Sequence, residues 1–313
     1  MANNVVLKTE CLRKEFDNLV AVNDLSLEVQ EGEIFGFLGP NGAGKSTSIN
    51  MMCGLLKPTS GNLFLKNQKV AGGDKSLRIK VGVCPQHLVL WTKLTCKEQL
   101  IHIAEMYGIK SNLARERADK LLKEMGLEEK KNKLAGTLSG GMQRRMNIIL
   151  ALMHDPEIIV LDEPEAGLDP QSRILVRDYI KSLAKNKTVI LTTHNMDEAE
   201  RVCNHVAIID HGTLLVADTI ENLKKKNREE SVLEIELENN DLVLKAQNTL
   251  SRFEIKITTV NNHLIISDKY IFEKLPEILK TLKDNSIKVC EMKLRENSLE
   301  DIFINLTGRR LRE

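Results

Sequence analysis

The octapeptide Gly39-Pro40-Asn41-Gly42-Ala43-Gly44-Lys45-Ser46 organises the reading of the whole chain. It fits G-x-x-x-x-G-K-[ST] and lies between the apolar run EIFGFL (Glu33 to Leu38) and a helical spacing of Ile49, Met52, Cys53 and Leu56. Glycines let backbone N–H groups turn inward on phosphate oxygens, and the following helix start adds the positive end of its dipole. In such a loop Lys45 reaches the β- and γ-phosphates, Ser46 offers its hydroxyl to Mg²⁺, and Thr47 is a neighbouring donor. Strand, glycine loop and helix together predict an α/β domain that binds a nucleotide.

Outward from this loop, EIIVL (Glu157 to Leu161), TVILT (Thr188 to Thr192) and HVAIID (His205 to Asp210) are near-continuous apolar runs. Such runs suit buried strands of a parallel sheet covered on both faces. The first ends in Asp162 and Glu163 at the strand's C-terminal edge, where open α/β sheets take their ligands. Asp162 is placed to secure Mg²⁺ through water, and Glu163 to polarise a water for attack on the γ-phosphate.

A second anion-binding candidate is Leu138-Ser139-Gly140-Gly141-Met142-Gln143. Ser139 is a good N-cap, and two glycines expose backbone N–H groups at the head of a helix. Met142, Met146, Ile149, Leu150 and Met153 fall at helical spacing behind it and read as core packing. Most of the stretch from Gln86 to His154 is helical in pattern, and Thr95 with Glu98 forms a capping box.

With LSGGMQ in place, residues 5 to 220 resemble the ATP-binding subunit of ABC transporters. That resemblance implies a P-loop NTPase fold with a helical subdomain at about 87–155, inside a nucleotide-binding domain spanning 1–227. It makes Gln86 in VCPQ the glutamine that senses Mg²⁺ or γ-phosphate and abuts a membrane partner, and His194 in LTTH the switch histidine. Gly167-Leu168-Asp169-Pro170 matches the family's D-loop, and Phe16 stands where an aromatic stacks on adenine, for which a ring face suffices. The implied catalytic set is Glu163, His194 and Gln86, with Ser46, Gln86 and Asp162 around Mg²⁺. The implied partners are a second ATPase subunit, whose Ser139, Gly140 and Gly141 close over the γ-phosphate held by Lys45, and an integral membrane permease. Glu165 departs from the family, which often has Ser or Thr there.

Lys224-Lys225-Lys226-Asn227-Arg228-Glu229-Glu230 carries both signs of charge and reads as a linker. Beyond it, SVLEIELE, FEIKITTV, HLIISD, a helix near Ile271 to Leu282 whose start Pro276 blurs, and IKVCEMKL predict a small α+β domain over 228–313. Its tail, from Asn297 to Phe303 and on to Leu306-Thr307-Gly308-Arg309, is similar to that of daunorubicin-resistance-type exporter ATPases. There Ser298 and Asp301 form a capping box, and Leu299, Ile302, Phe303 and Leu306 one apolar stripe.

Composition narrows the function. Lys and Arg (45) nearly cancel Asp and Glu (44), which argues against a mainly electrostatic nucleic-acid binder. The longest apolar run, Ile148 to Met153, is far below a membrane span, and no secretory signal is visible at Met1-Ala2-Asn3-Asn4. A cytoplasmic protein, peripheral on a membrane through its permease, is expected. The six cysteines are scattered without metal spacing and read as buried or semi-buried thiols. The expected function is an ATPase subunit energising export of a drug, lipid or other small amphiphile. The alternative is a non-transport ABC ATPase working on nucleic acid or ribosomes. A P-loop kinase or GTPase leaves LSGGMQ and His194 without explanation.

Overall fold

The computed structural model describes residues 4–70, 74–226 and 231–307. The chain divides into two compact units, Met1–Ala217 and Asp218–Glu313. This division falls earlier than the expected boundary after residue 227, because the charged stretch is not all linker: Lys224, Lys225 and Lys226 lie in a helix. Residues 227–230 of that stretch, and Gly308 and Arg309 of the tail, lie outside the described residues.

Unit 1 begins with β1 (Val5–Phe16) and β2 (Leu19–Gln30), after which β3 (Ile34–Leu38) runs into the glycine loop and α1 (Lys45–Met52). Next come β4 (Ser60–Leu65), β5 (Gln68–Val70), α2 (Lys75–Lys80) and β6 (Val81–Cys84). Three helices follow: α3 (Cys96–Met106), α4 (Ser111–Glu124) and α5 (Gly140–Leu150). The unit is completed by β7 (Ile158–Asp162), α6 (Pro170–Leu183), β8 (Thr188–Thr193), α7 (Met196–Val202), β9 (His205–Asp210) and β10 (Thr213–Thr219), the last crossing the division.

Its central sheet has the order β10-β9-β3-β8-β7-β6, and β9, β3, β8, β7 and β6 run parallel. Alternation across β7 shows why its sequence is apolar throughout: Ile159 and Leu161 face the helical core with Met146 and Ile149, while Ile158 and Val160 face the opposite core with Phe37 and Ile49. A second sheet, β2-β1-β4-β5, is antiparallel and was not expected as a separate layer. Its strands interleave buried Leu7, Leu25, Leu27 and Val29 with charged residues, so they lack the continuous runs that marked the central sheet. α3 starts on the expected capping box, with Thr95 Oγ1 accepting from Glu98 N at 3.2 Å and Glu98 Oε2 accepting from Thr95 N at 2.8 Å.

Unit 2 contains α8 (Ile220–Lys226), β11 (Ser231–Leu237), α9 (Asn240–Leu250), β12 (Lys256–Val260), β13 (His263–Asp268), α10 (Ile271–Asp284), β14 (Val289–Glu296) and α11 (Leu299–Thr307). The order β12-β13-β11-β14, all antiparallel, with α9 and α10 as its two crossings, is a ferredoxin-like βαββαβ arrangement. α9 and α10 bury Val243, Leu250, Ile278 and Leu282 on one face of the sheet against Leu233, Ile235, Leu264 and Ile266. Ile304 of α11 packs with Val232, Val260 and Ile265 of the other parity.

Two expectations for unit 2 change. α9 was not anticipated. α10 begins at Ile271 as expected, with Pro276 inside it, and the carbonyl that the proline leaves unbonded belongs to the exposed Phe272. The α11 stripe buries Leu299, Ile302 and Phe303, but Leu306 is 49% exposed and Ile304 is buried instead. Among the cysteines, Cys53, Cys84 and Cys96 are buried and Cys203 partly so, while Cys11 and Cys290 are exposed. Burial pushes the Cys53 thiol up to about 12 and that of Cys84 up to about 11, so neither is a thiolate at neutral pH.

Candidate nucleotide site

β3 ends on Leu38, and the chain turns through the glycine loop into α1 at the C-terminal edge of the central sheet. Gly44 caps α1 at φ 94°, in the left-handed region; a Cβ there would lie 2.5 Å from Ala21 O. No side chain caps this helix, so its first N–H groups remain for a ligand. Lys45 is buried, and its Nζ donates to Gly39 O at 2.7 Å and Pro40 O at 3.0 Å. Burial pulls its pKa down, against the opposing fields of Glu163 and Asp162. A partly desolvated cation whose partners are neutral carbonyls is a ready counter-charge for phosphate.

A cleft of about 430 Å³ opens over this loop. Of the residues expected at the site, Phe16, Asn41, Gly42, Gly44, Lys45, Ser46, Thr47, Gln86, Asp162 and Glu163 line it. Gly39 and Pro40 act from behind through the carbonyls that hold Lys45, and Ala43 is packed in the core. Phe16, 44% exposed at the β1–β2 turn, presents its ring beside Lys14 Nζ, 5.0 Å from the centroid. Leu19, Val20, Ala21, His211 and Gly212 also line the cleft and were not anticipated, since no motif marks them. The larger groove of unit 1, about 1230 Å³ between α4 and α6, carries no phosphate-binding loop.

Asp162 ends β7 and Glu163 opens the turn that follows it. The Thr192 hydroxyl of neighbouring β8 donates to Asp162 Oδ1, fixing that carboxylate. Glu163 adopts φ 50°, an unfavourable backbone for a residue with a Cβ, worth about 1–3 kcal/mol. Its N–H donates to Thr192 O at 3.2 Å and Thr192 Oγ1 at 3.1 Å. Its Oε1 accepts from His194 N at 3.0 Å and lies 2.8 Å from His194 Nδ1, so the histidine meets the glutamate directly.

Two buried side chains of α5 tie this site together, and sequence reasoning missed both. Arg144 Nη1 donates to Pro85 O at 2.8 Å and Gln86 O at 2.9 Å, Nη2 to Glu163 O at 2.7 Å and to Asp162 O, and Nε to Pro164 O at 3.3 Å. Asn147 accepts from Val89 N at 3.1 Å and donates to Pro85 O at 3.2 Å. The guanidinium's planar fork thus joins the segment bearing Gln86 to the turn bearing Glu163. The departure at Glu165 also gains a cause. Its carboxylate, 3% exposed, takes a two-pronged contact from Arg177 of α6, at 3.2 Å from Nε and 2.9 Å from Nη2. The extra negative charge is therefore paired away from the cleft, clamping the turn after Glu163 to α6.

Ser139, Gly140, Gly141 and Asp169 do not line the Lys45 cleft. Ser139 caps α5, accepting from Met142 N at 3.4 Å, and a Cβ on Gly141 would lie 3.0 Å from Ser172 Oγ and 3.4 Å from Asp169 Oδ2. Asp169 caps α6, accepting from Gln171 N at 3.1 Å and Ser172 N at 3.0 Å, with Pro170 in the first turn. The Ser172 backbone N–H, then its hydroxyl, holds the Asp169 carboxyl below the usual range. The expected residues therefore form two separate groups within one chain.

The residues nearest the phosphate loop suit a Mg²⁺ ion. A Ser46 hydroxyl, an Asp162 carboxylate and a Gln86 amide are hard oxygen donors. Among the described residues no group of three or more His, Cys, Asp and Glu is placed to hold a metal ion by itself.

Comparison with known proteins agrees with this geometry. The family profile described as ABC transporter matches residues 22–166. The linearmycin resistance ATP-binding protein of Bacillus subtilis is 34% identical over 311 residues, covering 98% of this chain and all of that protein. The bacitracin transport ATP-binding protein of Bacillus licheniformis is 35% identical, covering 97% of this chain and 98% of the relative. The Nod factor export ATP-binding protein I of Cupriavidus metallidurans is also 35% identical, over 98% and 99%. A solved ATP-binding subunit of an ABC transporter superposes with a TM-score of 0.65 at 28% identity, covering 71% of this chain and 92% of its own. An ATP-binding cassette solved as a dimer in a post-hydrolysis state, bound to ADP and Pi, gives 0.62 at 28%, covering 68% and 98%. A P-loop α/β domain with this cleft is an ATP-binding cassette. The chain belongs to the family of ATP-binding subunits of ABC transporters.

Proposed function

We propose that two copies of this chain pair around ATP, hydrolyse it, and drive export of a small amphiphile through a separate membrane permease. The observation that carries this reading is the division of the site. Lys45, Ser46, Asp162 and Glu163 share one cleft, while the Ser139–Gly141 helix start stands outside it beside Asp169 of its own chain. A second subunit is the natural source of the missing donors for each cleft. The relatives' names, which speak of linearmycin resistance, bacitracin transport and Nod factor export, favour export of an antibiotic or a comparable small molecule.

In this mechanism Lys45 leaves the Gly39 and Pro40 carbonyls for the β- and γ-phosphates, exchanging neutral acceptors for charged ones. Ser46, Asp162 and Gln86 would hold Mg²⁺, which would supply positive charge against developing phosphate charge. Glu163 accepts the proton of the attacking water, and His194 fixes its carboxylate through Nδ1–H. Phe16 stacks on the base and sets the nucleotide's position. Arg144 carries closure between the Gln86 segment and the Glu163 turn, because both hang on one guanidinium.

The permease is proposed to dock at the apolar surface beside Gln86. A groove of about 310 Å³ is lined there by Leu55, Val89, Trp91, Ile103 and Tyr107, of which Leu55, Val89, Trp91 and Tyr107 are well exposed. Among the described residues no helix is long and apolar enough to cross a membrane, so transport requires such a partner. The subunit would then work from the cytoplasmic face. The test is ATP hydrolysis by the purified chain, alone and with its permease in vesicles. The reading requires hydrolysis that rises cooperatively with ATP and responds to the permease. Non-cooperative hydrolysis by a persistent monomer would overturn it.

A further inference from the structure

The ferredoxin-like sheet of unit 2 has two unlike edges. β12 ends one side with five residues, Lys256 to Val260, two of them threonines. Short, polar edges resist pairing with other chains. β14 ends the other side with eight residues, and Cys290, Glu291, Met292, Lys293 and Leu294 are all exposed. Met292 lies opposite Ile235 and Leu294 opposite Leu233 on β11, whose side chains are fully buried beneath α9 and α10. Met292 and Leu294 therefore prolong the core layer outward, yet they are 40% and 36% exposed, and the register shift between Glu291 and Val289 ends this alternation at Cys290. Glu291 and Lys293 occupy the opposite face, 3.0 Å apart. Among the described residues no strand pairs with the outer side of β14.

This strand is complementary to itself. In an antiparallel pair with a two-fold axis at Met292, Glu291 of each copy faces Lys293 of the other, and Met292 faces Met292. Apolar meets apolar on one face, and opposite charges meet on the other. Moving the axis to Glu291 sets Glu291 against Glu291, and moving it to Lys293 sets Lys293 against Lys293. Like charges directly opposite oppose pairing, and of these three axes only the one at Met292 sets no like charges directly opposite each other.

We infer that the outer edge of β14 pairs with β14 of a second copy of this chain about a two-fold axis at Met292, joining two four-stranded sheets into one. The contact is isologous, closes on itself, and removes both exposed edges at once. It needs no nucleotide, which separates it from pairing of the ATP sites.

The test uses the full chain without nucleotide. In a background with both exposed cysteines replaced (Cys11→Ser, Cys290→Ser), Met292→Cys is oxidised; residues directly opposed in antiparallel strands have Cα atoms about 4.5–5.5 Å apart, within disulfide reach. A dimer-sized product is expected from Met292→Cys and none from Thr258→Cys on β12. In the otherwise native chain, Glu291→Lys or Lys293→Glu alone should weaken nucleotide-free dimerisation in sedimentation by about fivefold or more. The double reversal, which restores opposite charges across the axis, should recover it to within about twofold. Absence of the 292 cross-link, equal cross-linking at 258, or failure of the double reversal to recover pairing would each overturn the inference.

Discussion

Two helix starts in unit 1 are rich in glycine, and they are chemically unlike. α1 begins at Gly44 with no side-chain cap, a buried Lys45 beside it, and Asp162 and Glu163 within the same cleft. α5 begins at Ser139, whose hydroxyl already accepts from Met142 N; Gly140 is exposed, Gly141 is half-buried beside Ser172 and Asp169, and none of the three lines the Lys45 cleft. The first start has the charge to hold phosphate unaided. The second offers backbone donors that gain a ligand only when another surface brings one.

The sharpest break between the two starts is at Glu163. Glu163→Gln should leave ATP affinity near native while lowering the hydrolysis rate by about 10²- to 10⁴-fold, the usual contribution of a general base. In saturating Mg-ATP the variant should sediment as a dimer; a monomer there would show that the cleft does not recruit the second start. Lys45→Ala follows, with an expected loss of about 100-fold in ATP affinity by calorimetry, since it deletes charge-assisted contacts to phosphate. An unchanged affinity would make the two starts equivalent.

Ser139→Ala tests the second start directly. It should leave ATP affinity of the isolated chain unchanged, cost about 1 kcal/mol of thermal stability through the lost cap, and lower hydrolysis. Mixing it with Lys45→Ala should raise hydrolysis above the average of the two variants measured alone, because one cleft of the mixed pair then has both an intact lysine and an intact signature. A mixture no more active than that average would place the complete site within one chain.

The smallest effect on the ATP site belongs to a third start that serves folding only. α11 is held by Ser298 and Asp301, with Asp301 Oδ2 accepting from Ser298 N at 2.8 Å and Arg295 bound to both oxygens. Burial disfavours the charged carboxylate, but Arg295 and Ser298 outweigh it and hold Asp301 below its ordinary 3.8. A folded-state value below the unfolded one means this stabilisation is complete above about pH 4 and is lost as pH falls through the folded value. Asp301→Asn should therefore cost about 1–3 kcal/mol at neutral pH and flatten the acid limb of the unfolding profile, leaving ATP affinity untouched. An acid limb identical to native would assign the pH dependence elsewhere.

Much of this was legible in the chain. The central strands show themselves because a strand buried on both faces is apolar at every position, as Ile158 to Leu161 are. The phosphate loop shows itself because its glycines, lysine and serine act within eight consecutive residues. α9 was missed although Leu242, Val243, Ala246 and Leu250 have helical spacing and Asn239 caps it, because the stretch is short and polar between β-patterned runs. The β2-β1-β4-β5 layer was missed because its amphipathic strands are broken by register shifts that blur a period of two.

The sequence by itself determined the nucleotide loop, the acidic strand end, the capped helices and the family, since each depends on neighbours along the chain. Only the tertiary structure decided what joins them. Arg144 reaches carbonyls about 20 and 60 residues away, Glu165 finds Arg177 on the next helix, and Ser139–Gly141 stays apart from the Lys45 cleft. A guanidinium or carboxylate looks the same in the sequence whether solvated or buried. Which partner it meets depends on how distant segments pack, and no local spacing encodes that.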